Sequence, residues 1–373
     1  MNILFLLTDA YGSLGGISQF NRDFLGALDA SSFVTRIQAV PRIIPDAIED
    51  KIPEAVVFDR KGVGGKVRFT LRAIEHARSD VAVDLVICGH VNLLPAAVAV
   101  ACMRGARLAL ILHGIEAWQP THDHLVNWLT GFVDAFLAVS RLTAKRFRNW
   151  SGALEERFTV VPNCVNLERF VPQPPDPQLV ARYRLEGCKV ILTFGRLAGK
   201  ERAKGFDRVL DVLPNLVCQN PDLKYLIVGD GDDRSRLAAK ADTLGVGKNV
   251  VFAGRIPEEE KVAHFNLADV YAMPSSGEGF GIVLLEAAAC GIPVVGSNAD
   301  GSEEALLGGQ LGALVDPKNS NELTDTISHL LDRKSPKERP AGIETFGVNQ
   351  FRIRVNEWLC SQSRTLCVKR GAA

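Results

Sequence analysis

The stretch Val270–Val295, VYAMPSSGEGFGIVLLEAAACGIPVV, has the most informative hydrophobic pattern of the chain. It begins with a short apolar run, passes through a glycine loop into an apolar helical segment, and ends in a second short apolar run. Short buried strands separated by helices are typical of parallel sheets with both faces covered. The stretch therefore predicts one β-α-β unit of an open α/β sheet.

The same alternation extends along the whole chain and is broken by a proline-rich stretch at Pro172–Pro175, which suits a semi-rigid linker. We therefore predict an α/β protein of two facing Rossmann-like domains with parallel sheets, residues 1–168 and 169–345. Residues 346–373 are expected to form a C-terminal helix that packs back on the N-terminal domain. The apolar runs behind this prediction are Asn2–Leu7, Leu85–Cys88, Leu108–Leu112, Ala135–Val139, Val190–Phe194, Tyr225–Val228, Val250–Phe252, Val270–Ala272, Pro293–Val295 and Ala313–Val315.

The composition is that of a globular chain without a dominant charge. Its 373 residues are enough for two separate cores, and 43 basic residues balance 43 acidic ones. Binding along nucleic acid needs a surplus of positive charge, so a nucleic-acid-binding protein is disfavoured. The hydrophobic fraction of 47% argues against a disordered chain. The oligomeric state is left open.

Cysteine usage and hydropathy bear on the compartment. The eight cysteines form no C-x-x-C pair, and most lie in apolar stretches, as small core residues do in a reducing compartment. The apolar run Ile3–Leu7 is too short for a signal-peptide core. The longest near-apolar run, Leu93–Met103, falls well below the ~18 residues of a membrane span. We expect a cytoplasmic protein without a transmembrane segment.

The glycine loop of the opening stretch places two carboxylates eight positions apart, at Glu278 and Glu286. Glu286 lies in an otherwise apolar helical segment, where a charge is costly unless it is paired or bound. Glycines at the start of that helix leave backbone N–H groups able to face an anion. An anion cradle with two carboxylates able to hold hydroxyl groups fits a nucleotide sugar.

Two segments of the N-terminal half follow predicted strands and carry polar groups. The turn Gly12–Ile17, with Gly15 and Gly16, opens a helix and can bring backbone amides to a phosphate; a plain strand-to-helix turn is the alternative. His113 ends a strand, where ligands of open α/β sheets bind, and can donate to a substrate oxygen. A loop histidine without a special role is the alternative there.

A basic loop and an acidic turn follow strands of the C-terminal half. Arg196 is followed by Lys200 and by Lys204-Gly205, and these cations suit phosphate; a solvated basic loop is the alternative. Asp230 and Asp232 resemble a D-x-D site for Mg²⁺ or Mn²⁺. A tight glycine turn before an acidic helix start is favoured over that metal site.

Together these residues resemble glycosyltransferase family 4, whose members have the GT-B fold. The E-x7-E element of retaining enzymes in that family matches Glu278-Gly-Phe-Gly through Glu286. Further motifs occur in the family's order over nearly the whole chain: Gly15-Gly16, Val161-Pro162-Asn163, Gly195-Arg196-Leu197, Lys204-Gly205, Val228-Gly229-Asp230-Gly231 and Gly291-Ile292-Pro293-Val294-Val295.

The resemblance implies transfer of a sugar from a nucleoside diphosphate donor with retention at the anomeric carbon. It implies that Arg196 and Lys204 stabilise charge on the leaving phosphate and that Glu286 holds the ribose hydroxyls. It implies no obligatory metal or other cofactor and no protein nucleophile. Glu278 and the amides of Phe280 and Gly281 would position the sugar. The expected site is completed by Gly15 and Gly16 near the diphosphate, His113 near the reacting carbon, and Glu116, Gly229, Arg255 and Gly279 as further donor-binding residues.

The sequence departs from the family pattern at two places. Cys164 and Asn166 stand where the family often has glycine and aspartate, which puts a left-handed backbone there in doubt. The spacing from Arg196 to Lys204 is also longer than usual, so that Lys200 is an alternative to Lys204. We favour Lys204 because glycine follows it.

The expected activity is transfer of a mannose- or glucose-type hexose to a saccharide or lipid-linked saccharide, in cell-surface polysaccharide or glycolipid synthesis. Both UDP- and GDP-sugars remain open as donors, because the family that the chain resembles reads the base largely through loops such as Gly254–Pro257. A sugar-nucleotide epimerase of similar fold and a non-catalytic nucleotide-sugar-binding protein are the alternatives.

Two basic stretches are candidates for binding the acceptor or an anionic membrane at the inner face of the cell membrane. The first contains Arg141, Lys145, Arg146 and Arg148, interleaved with Leu142, Phe147 and Trp150. An ordinary solvated helix face explains this stretch equally well. The second contains Lys61, Lys66, Arg68 and Arg72 around a glycine loop.

Overall fold

The chain folds into two units, each built around its own parallel sheet, in a computed structural model that describes residues 1–12, 15–44, 52–333 and 337–371 (365–371 as backbone only). The first unit comprises Met1–Cys164 and Val348–Ala373, and the second comprises Val165–Gly347. The α/β class with parallel sheets, predicted from the short apolar runs, is confirmed.

Within the described residues, the first unit has a seven-stranded sheet. Its strands are β1 (Asn2–Leu7), β2 (Arg36–Pro41), β3 (Val56–Phe58), β4 (Leu85–Cys88), β5 (Arg107–Leu112), β6 (Ala135–Ala138) and β7 (Phe158–Val160), ordered β3-β2-β1-β4-β5-β6-β7. Every residue of β4 and β5 is buried, because helices cover the sheet. The helices before residue 164 are α1 (Gly16–Asp29), α2 (Lys66–Arg78), α3 (Leu94–Arg104), α4 (His124–Leu129) and α5 (Arg141–Ser151).

The described part of the second unit has a six-stranded parallel sheet. Its strands are β8 (Val190–Phe194), β9 (Lys224–Val228), β10 (Val250–Gly254), β11 (Val270–Ala272), β12 (Val294–Ser297) and β13 (Ala313–Val315), ordered β10-β9-β8-β11-β12-β13. The helices are α6 (Pro177–Tyr183), α7 (Phe206–Gln219), α8 (Arg234–Thr243), α9 (Lys261–Phe265), α10 (Ile282–Ala289), α11 (Ser302–Ala305) and α12 (Ser320–Asp332).

The last helix, α13 (Val348–Gly371), returns to the first unit and packs on α1. The ring of Phe351 lies 5.7 Å from that of Phe20, and Trp358 lies 6.0 Å from Phe24. Among the described helices, none combines the length and the apolar character needed to cross a membrane.

The strand order determines where each unit can bind a ligand. In a parallel sheet the carboxyl ends of all strands share one edge, and ligands bind where the direction of strand addition reverses. The reversal lies between β1 and β4 in the first unit and between β8 and β11 in the second. Most of the predicted donor-site residues lie in the loops that follow these strands, and Glu286 lies on helix α10, which follows the loop after β11.

Candidate active site

Lys204 and Glu278 meet in the second unit. The Nζ atom of Lys204 lies 2.6 Å from Oε1 of Glu278, across loops that follow β8 and β11. Both side chains are mostly buried, and the negative charge of Glu278 raises the pKa of Lys204. Lys200 is exposed in the same loop as Lys204. Of the two candidate lysines, Lys204 is therefore the one that contacts the E-x7-E element.

Arg196 is placed differently from Lys204. Its guanidinium group pairs with the carboxylate of Glu201, a residue of the lengthened loop, and its side chain is 68% exposed. An exposed ion pair contributes little stability, because water screens it. Arg196 can therefore exchange Glu201 for another anion at low cost.

Glu286 is buried on helix α10, and only one of its two carboxylate oxygens is paired within the described structure. Oε1 lies 2.6 Å from Nζ of Lys261, whereas Oε2 has no hydrogen-bond partner. Burial raises the pKa of Glu286, and the adjacent Lys261 opposes this rise. Buried polar atoms are normally hydrogen-bonded, so an unpartnered carboxylate oxygen marks a position for a hydroxyl donor. The sequence carries no signal for Lys261, which α9 contributes from 25 residues away.

The glycine loop between the two glutamates ends in a tight turn. Gly281 caps α10 with φ of 95°, so the first turn of the helix begins directly after the loop. Phe280 turns its ring into the core, 5.4 Å from the ring of Phe346. Its side chain is thus a packing element, and only its backbone can serve a ligand.

The turn after β9 supports the loop of Arg196. A Cβ atom on Gly229 would lie 1.9 Å from the carbonyl oxygen of Gly195, and one on Gly231 would lie 2.1 Å from that of Leu197. Only glycine permits this close approach. Gly229 therefore supports the loop of Arg196 through the packing of its backbone.

The aspartates of this turn bond separately to backbone. Oδ1 of Asp232 accepts a hydrogen bond from the N–H of Gly199 at 2.8 Å, and Oδ1 of Asp230 accepts one from the N–H of Gly231. Within the described ranges there is no group of three or more His, Cys, Asp or Glu side chains that could hold a metal ion. Arg255 is exposed after β10, at the edge of the sheet.

In the first unit, the loop after β1 is organised by Asp9, which sequence analysis does not single out. Its carboxylate accepts hydrogen bonds from the N–H of Gly12 at 3.0 Å and from Oγ of Ser18 at 3.1 Å. Cβ atoms added to Gly15 or Gly16 would meet no atom within 4 Å, so both glycines border open space. Residues 13 and 14 of this turn lie outside the described residues.

His113 follows β5 and is neutral. Its Nε2 atom donates to the carbonyl oxygen of Gly89 at 2.9 Å, and its ring packs edge-on against Phe20. Burial lowers the pKa of His113 to about 4. A neutral ring carries one N–H, and Gly89 takes it, so Nδ1 is an acceptor. In this arrangement Nδ1 of His113 can accept a hydrogen bond but cannot donate one, which differs from the donor role expected from the sequence.

Two neighbours share this edge with His113. Oε1 of Glu116 accepts hydrogen bonds from the N–H groups of His113 and Gly114, at 2.6 and 3.1 Å, and so shapes its own loop. His90, missed from sequence, has its Nδ1 accepting from the N–H of Asn92. Burial lowers the pKa of His90 to about 4.

The apolar side chains of the basic helix α5 pack against the core of the first unit. Phe147 is fully buried, and Trp150 packs on the core and donates its indole N–H to the carbonyl oxygen of Ala117. Arg146 lies over the ring of Trp118, and Arg148 pairs with Glu155. The exposed members of this stretch are two cations, Arg141 and Lys145.

Helix α2 presents the opposite arrangement. Val67 and Leu71 are 75% and 57% exposed, beside the exposed cations Lys66 and Arg68. Arg72 is held by Asp59 and Glu75. The second basic stretch thus combines exposed apolar and basic side chains, which α5 does not.

Cys164 stands where the family often has glycine. It is buried, and its backbone is not left-handed, as expected for a residue other than glycine. Asn166 accepts hydrogen bonds from the N–H groups of Glu168 and Arg169 and closes a local turn.

The chain matches family models along most of its length and is similar to characterised sugar transferases. Residues 14–169 match Glycosyltransferase Family 4, and residues 180–343 match Glycosyl transferases group 1. The chain is 36% identical over 234 residues to the GDP-mannose-dependent alpha-(1-6)-phosphatidylinositol monomannoside mannosyltransferase of Mycolicibacterium smegmatis, over 57% of this chain and 59% of that relative. The match therefore spans less than two thirds of that relative's length.

A second relative is matched over more of its length. It is the GDP-mannose-dependent monoacylated alpha-(1-6)-phosphatidylinositol monomannoside mannosyltransferase of Corynebacterium glutamicum, 28% identical over 86% of each chain. The structure also resembles HepE of Anabaena, solved with UDP and glucose, with a TM-score of 0.80 and 21% identity, over 97% of this chain and 100% of that one. Two family models in succession and the shared fold agree with the E-x7-E element: the chain belongs to the family 4 glycosyltransferases, which have the GT-B fold.

Proposed function

We propose that this glycosyltransferase moves a hexose from a nucleoside diphosphate sugar to a lipid-linked saccharide, with retention at the anomeric carbon, in the synthesis of a glycolipid or cell-surface polysaccharide. One observation carries the proposal. The glycine loop before α10 joins Glu278, which is paired with Lys204, to Glu286, whose buried Oε2 has no partner among the described residues. A nucleotide sugar supplies the hydroxyls and phosphates that these groups bind.

Glu286 binds the ribose in this proposal. Its Oε2 accepts hydrogen bonds from ribose hydroxyl groups, while Lys261 balances the charge at Oε1. A charge-assisted hydrogen bond in a buried site is stronger than a neutral one. Glu286 therefore contributes mainly to the affinity for the nucleotide.

Arg196 and Lys204 act on the phosphate that leaves. The bond between the anomeric carbon and the phosphate oxygen breaks, and negative charge builds on that phosphate. Lys204 is held beside Glu278 before the reaction, whereas Arg196 exchanges Glu201 for the phosphate when the donor binds. Both cations then stabilise the developing charge, usually a large catalytic contribution. These two side chains supply the charge for which other enzymes use a metal ion, so no obligatory cofactor is proposed.

The second half of the reaction forms the new glycosidic bond on the face that the phosphate leaves. The acceptor hydroxyl oxygen attacks the anomeric carbon, and its proton passes to the released phosphate oxygen. Glu278 and the backbone of residues 279–281 orient the sugar. This sequence of events uses no protein nucleophile and retains the anomeric configuration.

For the first unit we propose donor-binding roles that rest on the family resemblance. Gly15 and Gly16, which border open space, offer backbone amides to the diphosphate. Nδ1 of His113 accepts a hydrogen bond from a sugar hydroxyl. Glu116 shapes the loop that carries His113.

The proposed donor is GDP-mannose. The named relatives matched in sequence are GDP-mannose-dependent, whereas HepE, solved with UDP and glucose, shares only 21% identity. A thermal-shift panel of GDP, UDP and ADP tests this choice. A ligand that binds only the folded state raises its apparent stability, so saturating GDP should raise Tm by about 5 °C. A larger rise with UDP would assign a uridine donor, and Glu286→Ala should abolish the rise.

The proposed acceptor is a lipid-linked saccharide at the inner face of the cell membrane, reached by an enzyme of the cytoplasm. The named relatives act on phosphatidylinositol mannosides, and α2 exposes Val67 and Leu71 beside Lys66 and Arg68. Apolar side chains that enter the headgroup region, flanked by cations that attract anionic lipid, are typical of peripheral binding.

Flotation with phosphatidylglycerol vesicles tests the membrane contact. A variant of α2 carrying Lys66→Ala, Val67→Ser, Arg68→Ala and Leu71→Ser should lose flotation. The comparison variant Arg141→Ala with Lys145→Ala removes exposed cations from α5 and should float as the native chain does. Equal flotation of the α2 variant and the native chain would refute the proposed contact.

A further inference from the structure

Asp300 lies in the loop after β12, next to the loop that carries Glu278 after β11. It is 3% exposed, and its carboxylate accepts three hydrogen bonds. Oδ2 accepts from Oγ of Ser275 at 2.5 Å and from the N–H of Glu278 at 2.9 Å. Oδ1 accepts from the N–H of Ser302 at 3.0 Å. One carboxylate thus joins the Glu278 loop to the start of α11.

The two loops are also bonded directly. The N–H of Gly301 donates to the carbonyl oxygen of Glu278 at 2.9 Å. A Cβ atom on Gly301 would lie 2.2 Å from the carbonyl oxygen of Gly279, so the backbones touch where only glycine fits. Both backbone polar groups of Glu278 are therefore held from the loop of Asp300.

The opposite flank of the Glu278 loop is held as well. The N–H of Ser276 donates to the carbonyl oxygen of Ala203 at 2.8 Å, next to Lys204. The loop is thereby fixed between Asp300 on one side and the Lys204 segment on the other. A carboxylate that lies 2.6 Å from Lys204 depends on both attachments.

We propose that Asp300 is a positioning residue for sugar transfer, which holds the backbone of Glu278 so that its carboxylate lies against Lys204. This inference rests on the proposed function. Three neutral donors satisfy the buried Asp300 carboxylate, a costly arrangement unless every bond is made. Asp300 therefore orients Glu278 through fixed backbone contacts and needs no contact with the substrate.

The substitution Asp300→Asn tests the inference with little change of shape. An amide has one acceptor atom, so the N–H of either Glu278 or Ser302 loses its partner. A misplacement of about 1 Å at a reacting centre can cost 10²-fold in rate, so kcat should fall about 10- to 100-fold. The Kd of GDP should stay within about twofold of the native value, because Glu286 and Lys261 are untouched.

A double-mutant cycle separates positioning from general stability. If Asp300 acts through Glu278, Asp300→Asn should cause no further loss of kcat in a Glu278→Ala background. Multiplicative losses, or a loss of GDP affinity that parallels the loss of kcat, would overturn the inference. Asp269→Asn is the matched control. Asp269 also accepts a hydrogen bond from a backbone N–H, that of Val190, and its substitution should leave kcat at the native value.

A milder variant tests the same inference if Asp300→Asn does not fold. Ser275→Ala removes the 2.5 Å bond but leaves both backbone N–H groups their acceptor. It should lower kcat about threefold with GDP affinity unchanged, and native kcat would count against the inference. Failure of the proposed function would show separately, as a native chain that releases no GDP from GDP-mannose.

Discussion

The carboxyl edges of the two sheets hold their polar groups in different states. In the second unit, Lys204 with Glu278 and Lys261 with Glu286 form ion pairs at 2.6 Å. In the first unit, His113 is a neutral buried ring that donates to a backbone carbonyl oxygen. Paired charges suit phosphate, whose charge changes during transfer, and neutral acceptors suit sugar hydroxyls. We therefore expect the second unit to determine the rate of transfer and the affinity for the nucleotide, and His113 to make the first unit sensitive to acid.

The largest effect is expected for Lys204→Ala in the second unit. Loss of a cation aimed at developing charge should lower kcat about 10³-fold, with a much smaller change in the Kd of GDP. Steady-state kinetics with GDP-mannose measure both quantities. Lys200→Ala removes the same charge from the same loop and should change kcat less than about twofold. A greater loss for Lys200→Ala would transfer the phosphate role to Lys200.

Much of the fold follows from the sequence because buried parallel strands are short continuous apolar runs. The runs at β1, β4, β5 and β8 were recognisable for that reason. Strand β2 was not, because Arg36 and Gln38 interrupt its apolar pattern, although five of its six residues are buried. Strands β3 and β7, at the two margins of the sheet, were not either: Val57 in β3 is 47% exposed, and all three residues of β7 are half-buried. Strands toward the margin of a sheet pack less and carry a weaker apolar pattern.

The candidate site was predictable where a residue conflicts with its local surroundings. Glu286 in an apolar helix is such a conflict, and it identified one end of the E-x7-E element. Its partner Lys261 and the positioning residue Asp300 could not be predicted in this way, because neither conflicts with its neighbours in the sequence. Their contacts span 25 and 22 residues and arise only when neighbouring strands bring the loops together.

Burial decides how the α5 stretch and His113 are interpreted. The sequence of α5 shows cations among aromatic side chains, but it does not say that Phe147 and Trp150 face the core. It likewise shows His113 at a strand end without its desolvation, which removes the second ring proton. Both properties belong to the packed unit.

The first unit should lose stability in acid because of His113. The pKa of His113 is about 4 when folded and about 6.5 when unfolded, so the unfolded state binds the proton first as pH falls. The contribution of neutral His113 to the free energy of unfolding is complete above pH 6.5. It is lost as pH falls from 6.5 to 4, and the loss is up to about 3 kcal/mol. His90 adds to the same trend.

Urea unfolding at pH 7 and pH 4.5 measures this loss in the first unit alone. All four tryptophans, at positions 118, 128, 150 and 358, belong to that unit, so their fluorescence follows its unfolding. His113→Gln should reduce the difference between the two pH values. The exposed His122→Gln is the matched control and should behave as the native chain. An unchanged pH dependence in His113→Gln would contradict the neutral buried ring.

The smallest effect is expected for Lys261→Met, which removes the partner of Glu286 and retains an apolar stem of similar length. Without Lys261 the pKa of the buried Glu286 rises further, while Glu258 and Arg169 remain as its other charged neighbours. A protonated carboxyl group accepts ribose hydroxyls poorly, so the Kd of GDP should rise about tenfold at pH 7. The loss should be larger at pH 6 and smaller at pH 8. Titration calorimetry at the three pH values measures it, with the exposed Lys248→Met as control. Equal affinities at all three would show that Glu286 is held by something other than this ion pair, and the contrast with the first unit would then rest on Lys204 alone.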